Sequence, residues 1–215
     1  MLDEIDGVIA DYDFVVAEDR TLVRYFGPPY RVLRQISLEL TESIVSVPSK
    51  VRAVRICELL IERLFLNLPF LDGNHIPLVD PLLVEAYGRQ GGIGSVSRRY
   101  RRRQIEPNLG KFGYRDFVSA IVGTEDVGLF GTSKKEYIPR CMEMLDIPPA
   151  HILFMGDSPE DLRIAKECGA RTCTITGGYH SENSLQRVNP KYSVSRAQKA
   201  FEMLVNGTNP QTIYN

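Results

Sequence analysis

The second half of the chain alternates short, continuous apolar runs with amphipathic stretches. GGIGSV near residues 91–96, VSAIVG at 118–123, ILFM at 152–155 and RTCTIT at 171–176 each read as a strand, with helices predicted between them. Apolar runs without strict alternation are what strands show when helices cover both faces of a parallel sheet. The predicted class is therefore α/β, a parallel sheet layered by helices.

Residues 13–77 follow a different pattern. TLVRYF, YRVLRQISLELTESIV and SKVRAVRICELLIERLFL carry apolar residues at three- and four-residue spacing and no strand pattern, so the region reads as a helical insertion. Pro28–Pro29 and Pro48 divide it, with Ser49 placed to cap a helix. The expected organisation is a core from residues 1–12 and 78–206, a helical insertion at 13–77, and a flexible tail at 207–215. Pro139 inside IPRCMEML requires that helix to start late or to kink, because proline is tolerated only in the first turn.

Composition narrows the function classes. The 215 residues are 43% apolar and 25% charged, with a formal net charge of −1, which is the profile of an ordinary soluble globular protein. That balance gives no electrostatic case for nucleic acid, and the longest apolar stretches are broken by charge well short of a membrane span. The start has no basic segment followed by an apolar run, so a cytoplasmic location is expected. Cys57, Cys141, Cys168 and Cys173 form no CxxC pair and have no neighbouring histidine at zinc spacing, so they read as reduced thiols.

Candidate chemistry concentrates where apolar runs end. In ILFMGDSPEDLR the run stops at Gly156, and Asp157 is delivered to the carboxyl end of a strand, where open parallel sheets bind ligands. Asp161 lies one helical turn further on and can orient the loop, while Ser158 and Asp157 are also ordinary helix-capping residues. GIGSVS supplies a strand-end hydroxyl, Ser95, which also reads as a cap. SKKEYIPR places Ser133 as a cap and Lys134 at a helix start, against the helix dipole, although a pair of lysines is most simply a solvated surface. Five arginines at residues 98–103 read as a solvated helix face or as an attractor for an acidic or phosphorylated partner. The opening MLDEIDGVIAD crowds Asp3, Glu4 and Asp6 ahead of an apolar run. His75, His151 and His180 read as ordinary loop or surface histidines.

Taken in order, IDGVIAD, GIGSVS, SKKE and GDSPED resemble the four motifs of the haloacid dehalogenase superfamily, and AKECGARTCTITGGYHS resembles the family's closing segment. The resemblance covers nearly the whole chain. It implies a Rossmann-like core with an inserted helical cap, of the subfamily that includes phosphoglycolate phosphatase and beta-phosphoglucomutase. It also implies a Mg²⁺-dependent phosphatase acting on a small phosphorylated metabolite, as a monomer or homodimer with no nucleic-acid or membrane partner.

The same resemblance assigns roles. With the first motif anchored on Asp6–Gly7, Asp6 is the acid/base and Glu4 falls at the nucleophile position, where the family has Asp. Ser95 and Lys134 would hold the phosphoryl oxygens; Glu4, Asp6 and Asp157 would hold the metal, supported by Gly156, Ser158 and Asp161. Glutamate adds one methylene, and a displacement of about 1 Å can cost about 100-fold in rate. On this register the alternatives are a catalytically impaired binding or regulatory protein, or a phosphomutase on the same core. A truncated or altered N-terminus would equally account for Glu4 and for the short stretch left to form the first strand.

Overall fold

The computed structural model describes residues 4–12, 17–19, 75–97, 100–126, 135–176, 180 and 182–207. The chain divides into two compact units, Met1–Glu18 with Ile76–Asn215, and Asp19–His75. Nearly all of the second lies outside the described residues, as do the expected helices of the insertion, Ser49, Cys57, Ser133, Lys134 and residues 208–215 of the tail.

In chain order the described elements are β1 (Gly7–Asp11), β2 (Ala17–Asp19), β3 (His75–Pro77), α1 (Pro81–Gly88), β4 (Gly92–Val96), α2 (Arg102–Lys111), β5 (Ala120–Val122) and α3 (Tyr137–Leu145). A 3₁₀ turn at Pro149–His151 then leads to β6 (Ile152–Gly156), α4 (Pro159–Glu167), β7 (Arg171–Ile175), α5 (Glu182–Gln186), β8 (Tyr192–Val194) and α6 (Ala197–Asn206). Six strands form one sheet in the order β5-β4-β1-β6-β7-β8, and every pairing in it is parallel. The α/β expectation holds.

The chain fills the sheet outward from β1, first through β4 to β5 and then back through β6 to β7 and β8. This makes β1 the switch point of a doubly wound sheet, and ligands bind such sheets beyond the carboxyl ends of the strands at that point. Val8, Ile9 and Ala10 are 0 to 1% exposed, as befits a strand covered on both faces.

Two departures from the sequence reading concern strands. The central strand begins at Gly7, where the continuous apolar run begins, and so follows Asp6, on which the sequence reading anchors the first motif. The expected helical stretch also starts and finishes in β structure, because β2 and β3 pair as a two-stranded sheet. Pairing between segments so far apart in sequence leaves no local periodicity to read.

One face of the sheet carries α3 and α4, whose buried Ile138, Cys141, Met142 and Leu162 pack on Ile9, Val96 and Phe154. The approach of α3 is close. A Cβ on Gly94 would sit 2.5 Å from Cys141 Sγ, so only glycine admits the helix there. On the other face α1 and α6 pack together, with Tyr87 and Phe201 edge to face at 6.0 Å. Pro139 falls in the first turn of α3, so that helix starts late and is not kinked by the proline. Burial pushes the Cys141 and Cys173 thiols up to about 12, leaving both as inert core residues.

Candidate active site

The register of three adjacent strands fixes which residues meet at the carboxyl edge. Ala10 is level with Ser95 of β4 and with Met155 of β6, and Asp11 is level with Val96. Asp11 therefore closes β1, while Ser97 and Asp157 are the first residues beyond β4 and β6. Neighbouring strands lie about 4.8 Å apart, so two carboxylates and a hydroxyl are gathered around one strand end. All are buried: Asp11 is 3% exposed, Asp157 4% and Ser97 0%. Burying carboxylates costs free energy unless the surroundings hold them, so such a group at a ligand-binding edge makes a candidate site.

The local sequence delivers each of these groups. Gly-Val-Ile-Ala drives β1 through the core and stops at Asp11, whose successor Tyr12 still donates its N–H to Val96 O at 2.8 Å. Ser97 donates its own N–H to Val122 O at 2.9 Å, and its Oγ accepts from Tyr100 N at 3.0 Å. After Asp157, Ser158 takes the N-cap position of α4 and Pro159 its first turn, with Glu160 and Asp161 favourably placed at the positive end of the helix dipole. Asp161 is fully buried there. The Ser158 side chain makes no capping hydrogen bond.

Glu4 and Asp6 do not reach this edge. Asp6 donates its N–H to His151 O at 2.9 Å and accepts from Gly92 N at 2.9 Å, which sets it level with the amino starts of β6 and β4. At about 3.3 Å per residue, Asp6 lies about 16 Å along the strand direction from Asp11. Its carboxylate contacts His151 Nδ1 at 2.6 Å, and that of Glu4 accepts from Arg171 Nη2 at the amino start of β7. The Arg171 guanidinium holds the Glu4 carboxyl below its ordinary range. These groups cannot share a phosphate with Ser97 and Asp157, so the register anchored on Asp6–Gly7 is corrected.

Ser95 is corrected for a related reason. Level residues of a parallel sheet share a face, and Ser95 shares that of Ala10 and Met155. It lines a cavity of about 20 Å³ with Val84, Ile93, Leu109 and Phe201, on the face covered by α1 and α6. Its buried Oγ has no hydrogen-bond partner among the described residues, and it caps no helix. The strand-end hydroxyl belongs to Ser97.

Asp11 and Ser97 were missed by the sequence reading, and the signal for the first was present. Val8-Ile9-Ala10 is the apolar run that precedes a strand-end acid, and Asp11-Tyr12-Asp13 carries the two-residue carboxylate spacing sought for the first motif. Asp13 and Lys134 both lie outside the described residues. The arginine run has a partly structural use: Arg102 pairs with Asp126 at 2.7 Å and donates its N–H to Glu125 Oε1 at 2.8 Å.

The chemistry of the donor set fits a small hard cation. Asp11 and Asp157 offer carboxylate oxygens, the strand ends add main-chain carbonyls, and Mg²⁺ takes one or two protein carboxylates while keeping waters and substrate oxygens. Among the described residues no group of three or more His, Cys, Asp or Glu side chains is arranged to hold a metal. A Mg²⁺ site of this kind does not require one.

A doubly wound parallel sheet with buried carboxylates at its switch point defines an α/β fold with a candidate ligand site at its carboxyl edge. Comparison with known proteins points to the same family: the haloacid dehalogenase-like hydrolase profile matches residues 70–175, just under half of the chain, and supports a hydrolase of the haloacid dehalogenase superfamily. A curated relative, N-acetylmuramic acid 6-phosphate phosphatase from Pseudomonas aeruginosa, is 27% identical over 105 residues, or 48% of this chain. The matched segment spans 46% of that relative, about half its length.

Solved structures share the fold. A haloacid dehalogenase-like hydrolase from Streptococcus pneumoniae superposes with a TM-score of 0.66 at 14% identity, covering 93% of this chain and 98% of that one. A haloacid dehalogenase phosphatase from Thermococcus onnurineus gives 0.61 at 18%, with the same coverage of 93% and 98%. A predicted phosphoglycolate phosphatase from Haemophilus somnus gives 0.58 at 14%, again covering 93% and 98%. Among the described residues no helix is long and apolar enough to cross a membrane.

Proposed function

We propose that the chain is a Mg²⁺-dependent phosphatase of small phosphorylated metabolites, and that Asp11 is its nucleophile. The observation that carries this reading is the buried carboxylate of Asp11 at the carboxyl end of the central strand, flanked by Ser97 and Asp157. The curated relative's name supports a phosphate monoester as the substrate class.

In the proposed reaction an Asp11 oxygen attacks phosphorus, the bond to the leaving oxygen breaks, and Asp13 gives that oxygen its proton. Asp13 then takes a proton from water, whose oxygen attacks the aspartyl phosphate and releases inorganic phosphate and the carboxylate. Ser97 donates a hydrogen bond to a phosphoryl oxygen, a role Lys134 shares through its charge. Asp157 and Asp11 would hold Mg²⁺, which offsets the negative charge gathered on the phosphoryl group. Gly156, Ser158 and Asp161 fix the loop that presents Asp157. On this register Asp11 and Asp13 supply the expected Asp-x-Asp pair, which favours the enzyme over the impaired binding protein.

The test is hydrolysis of p-nitrophenyl phosphate with and without Mg²⁺. Turnover that requires the metal and disappears in Asp157→Asn is the expected result. Equal rates with and without metal, or an Asp157→Asn variant as fast as wild type, would contradict the reading.

A further inference from the structure

The segment after β4 is held to the exit of β1 by an aromatic contact that the proposed reaction does not itself use. Tyr12, directly after Asp11, is 0% exposed, and Tyr100 is 3% exposed. Their rings meet edge to face with centroids 5.6 Å apart at 76°. An edge-to-face pair of buried rings has a preferred mutual orientation that aliphatic side chains lack, so it fixes the two segments relative to each other.

The backbone of Tyr100 explains what the contact achieves. Its N–H donates to Ser97 Oγ at 3.0 Å, so where the ring goes, the hydroxyl follows. With a lone pair engaged in that bond, Ser97 meets a ligand as a donor, the polarity a phosphoryl oxygen requires. The carbonyl of Tyr100 accepts from Thr124 N at 3.0 Å, which ties the same residue to the turn after β5. That turn is itself closed by Asp126, whose Oδ2 accepts from Gly123 N at 2.8 Å while Oδ1 pairs with Arg102.

We infer that Tyr100, seated on Tyr12, is a positioning residue that fixes the Ser97 hydroxyl relative to Asp11. This rests on the phosphatase reading above. Tyr12 adjoins Asp11 in the chain and Tyr100 is bonded to Ser97, so the ring contact links the two segments whose groups must address one phosphorus, and about 1 Å of displacement between such groups can cost about 100-fold.

The experiment is a kinetic cycle on the full chain with p-nitrophenyl phosphate and Mg²⁺, using Tyr100→Leu, Ser97→Ala and their combination, with a thermal midpoint for each. Expected is a fall in kcat of about 10- to 100-fold for Tyr100→Leu with KM changed less than about threefold. In the Ser97→Ala background the same change should cost less than about threefold, because its route of action is already gone. Tyr100→Phe, which keeps the ring, should recover wild-type kcat to within about threefold. If Tyr100→Leu does not fold, Tyr12→Leu enters the same cycle with the same expectation.

Equal losses in both backgrounds, or losses that follow the thermal midpoint in every variant, would overturn the positioning role while leaving the phosphatase reading intact. A wild-type chain with no metal-dependent turnover would sink both.

Discussion

The two ends of β1 both carry acids, yet they are built for opposite purposes. At the amino end Glu4 and Asp6 have side chains that are 60% exposed, and they meet Arg171 and His151 in contacts open to water. At the carboxyl end Asp11 and Asp157 are almost wholly buried, at the ends of adjacent strands. Exposed pairs contribute little and tolerate change, whereas buried carboxylates gathered at one point are sustained only where they are held or used. Residue type did not distinguish the two ends; position along a parallel strand did.

The largest expected effect separates the two ends directly. Asp11→Asn should lower kcat for p-nitrophenyl phosphate by about 1,000-fold or more, since removing a nucleophile removes the covalent route. Glu4→Gln and Asp6→Asn should stay within about threefold of wild type under the same steady-state assay. A large loss in Glu4→Gln with near-normal Asp11→Asn would reverse the assignment.

The two serines sharpen the same contrast. Ser97→Ala should cost about 100-fold in kcat, the scale of losing one preorganised donor to a developing anion. Ser95→Ala should leave turnover unchanged. It should raise the thermal midpoint by about 2 °C, because an unsatisfied buried hydroxyl is removed.

A smaller effect is expected at the turn that supports the Ser97 segment. A Cβ on Gly123 would lie 2.4 Å from Arg102 N and 2.9 Å from Arg101 C, so the backbone must give way. Gly123→Ala should destabilise by about 1–3 kcal/mol in denaturant unfolding and slow turnover beyond the loss in folded protein.

The smallest effect belongs to the amino end. The Glu4 carboxyl is held below its ordinary range, so the folded state binds its proton less readily than the unfolded state does. Its contribution to stability is fully present above the ordinary glutamate value and is lost as pH falls through the lowered one. The difference in thermal midpoint between wild type and Glu4→Gln should therefore be small at pH 7, shrink further in high salt, and vanish at strongly acidic pH.

Much of the sheet was legible because β4, β5, β6 and β7 are short apolar runs that local pattern alone identifies. β8 was not, since Tyr192–Val194 is three residues long and alternates a partly exposed serine between buried neighbours. β1 was misplaced because Asp6–Gly7 mimics the aspartate and glycine of the expected first motif, and that match outweighed the apolar run ending at Asp11. The choice between Ser95 and Ser97 turns on where β4 stops and which face each residue takes. Both are consequences of register with β1, and no single segment encodes them. Asp6 and His151 meet across 145 positions, a contact that only the assembled sheet creates.

The most direct measurement locates the phosphorylated carboxylate itself. The chain is mixed with substrate and Mg²⁺, the acyl phosphate is reduced to the alcohol with borohydride, and the modified residue is identified by peptide mass spectrometry. The account predicts reduction at Asp11 and at no other acid of the N-terminal segment; modification of Glu4 or Asp6 would contradict it.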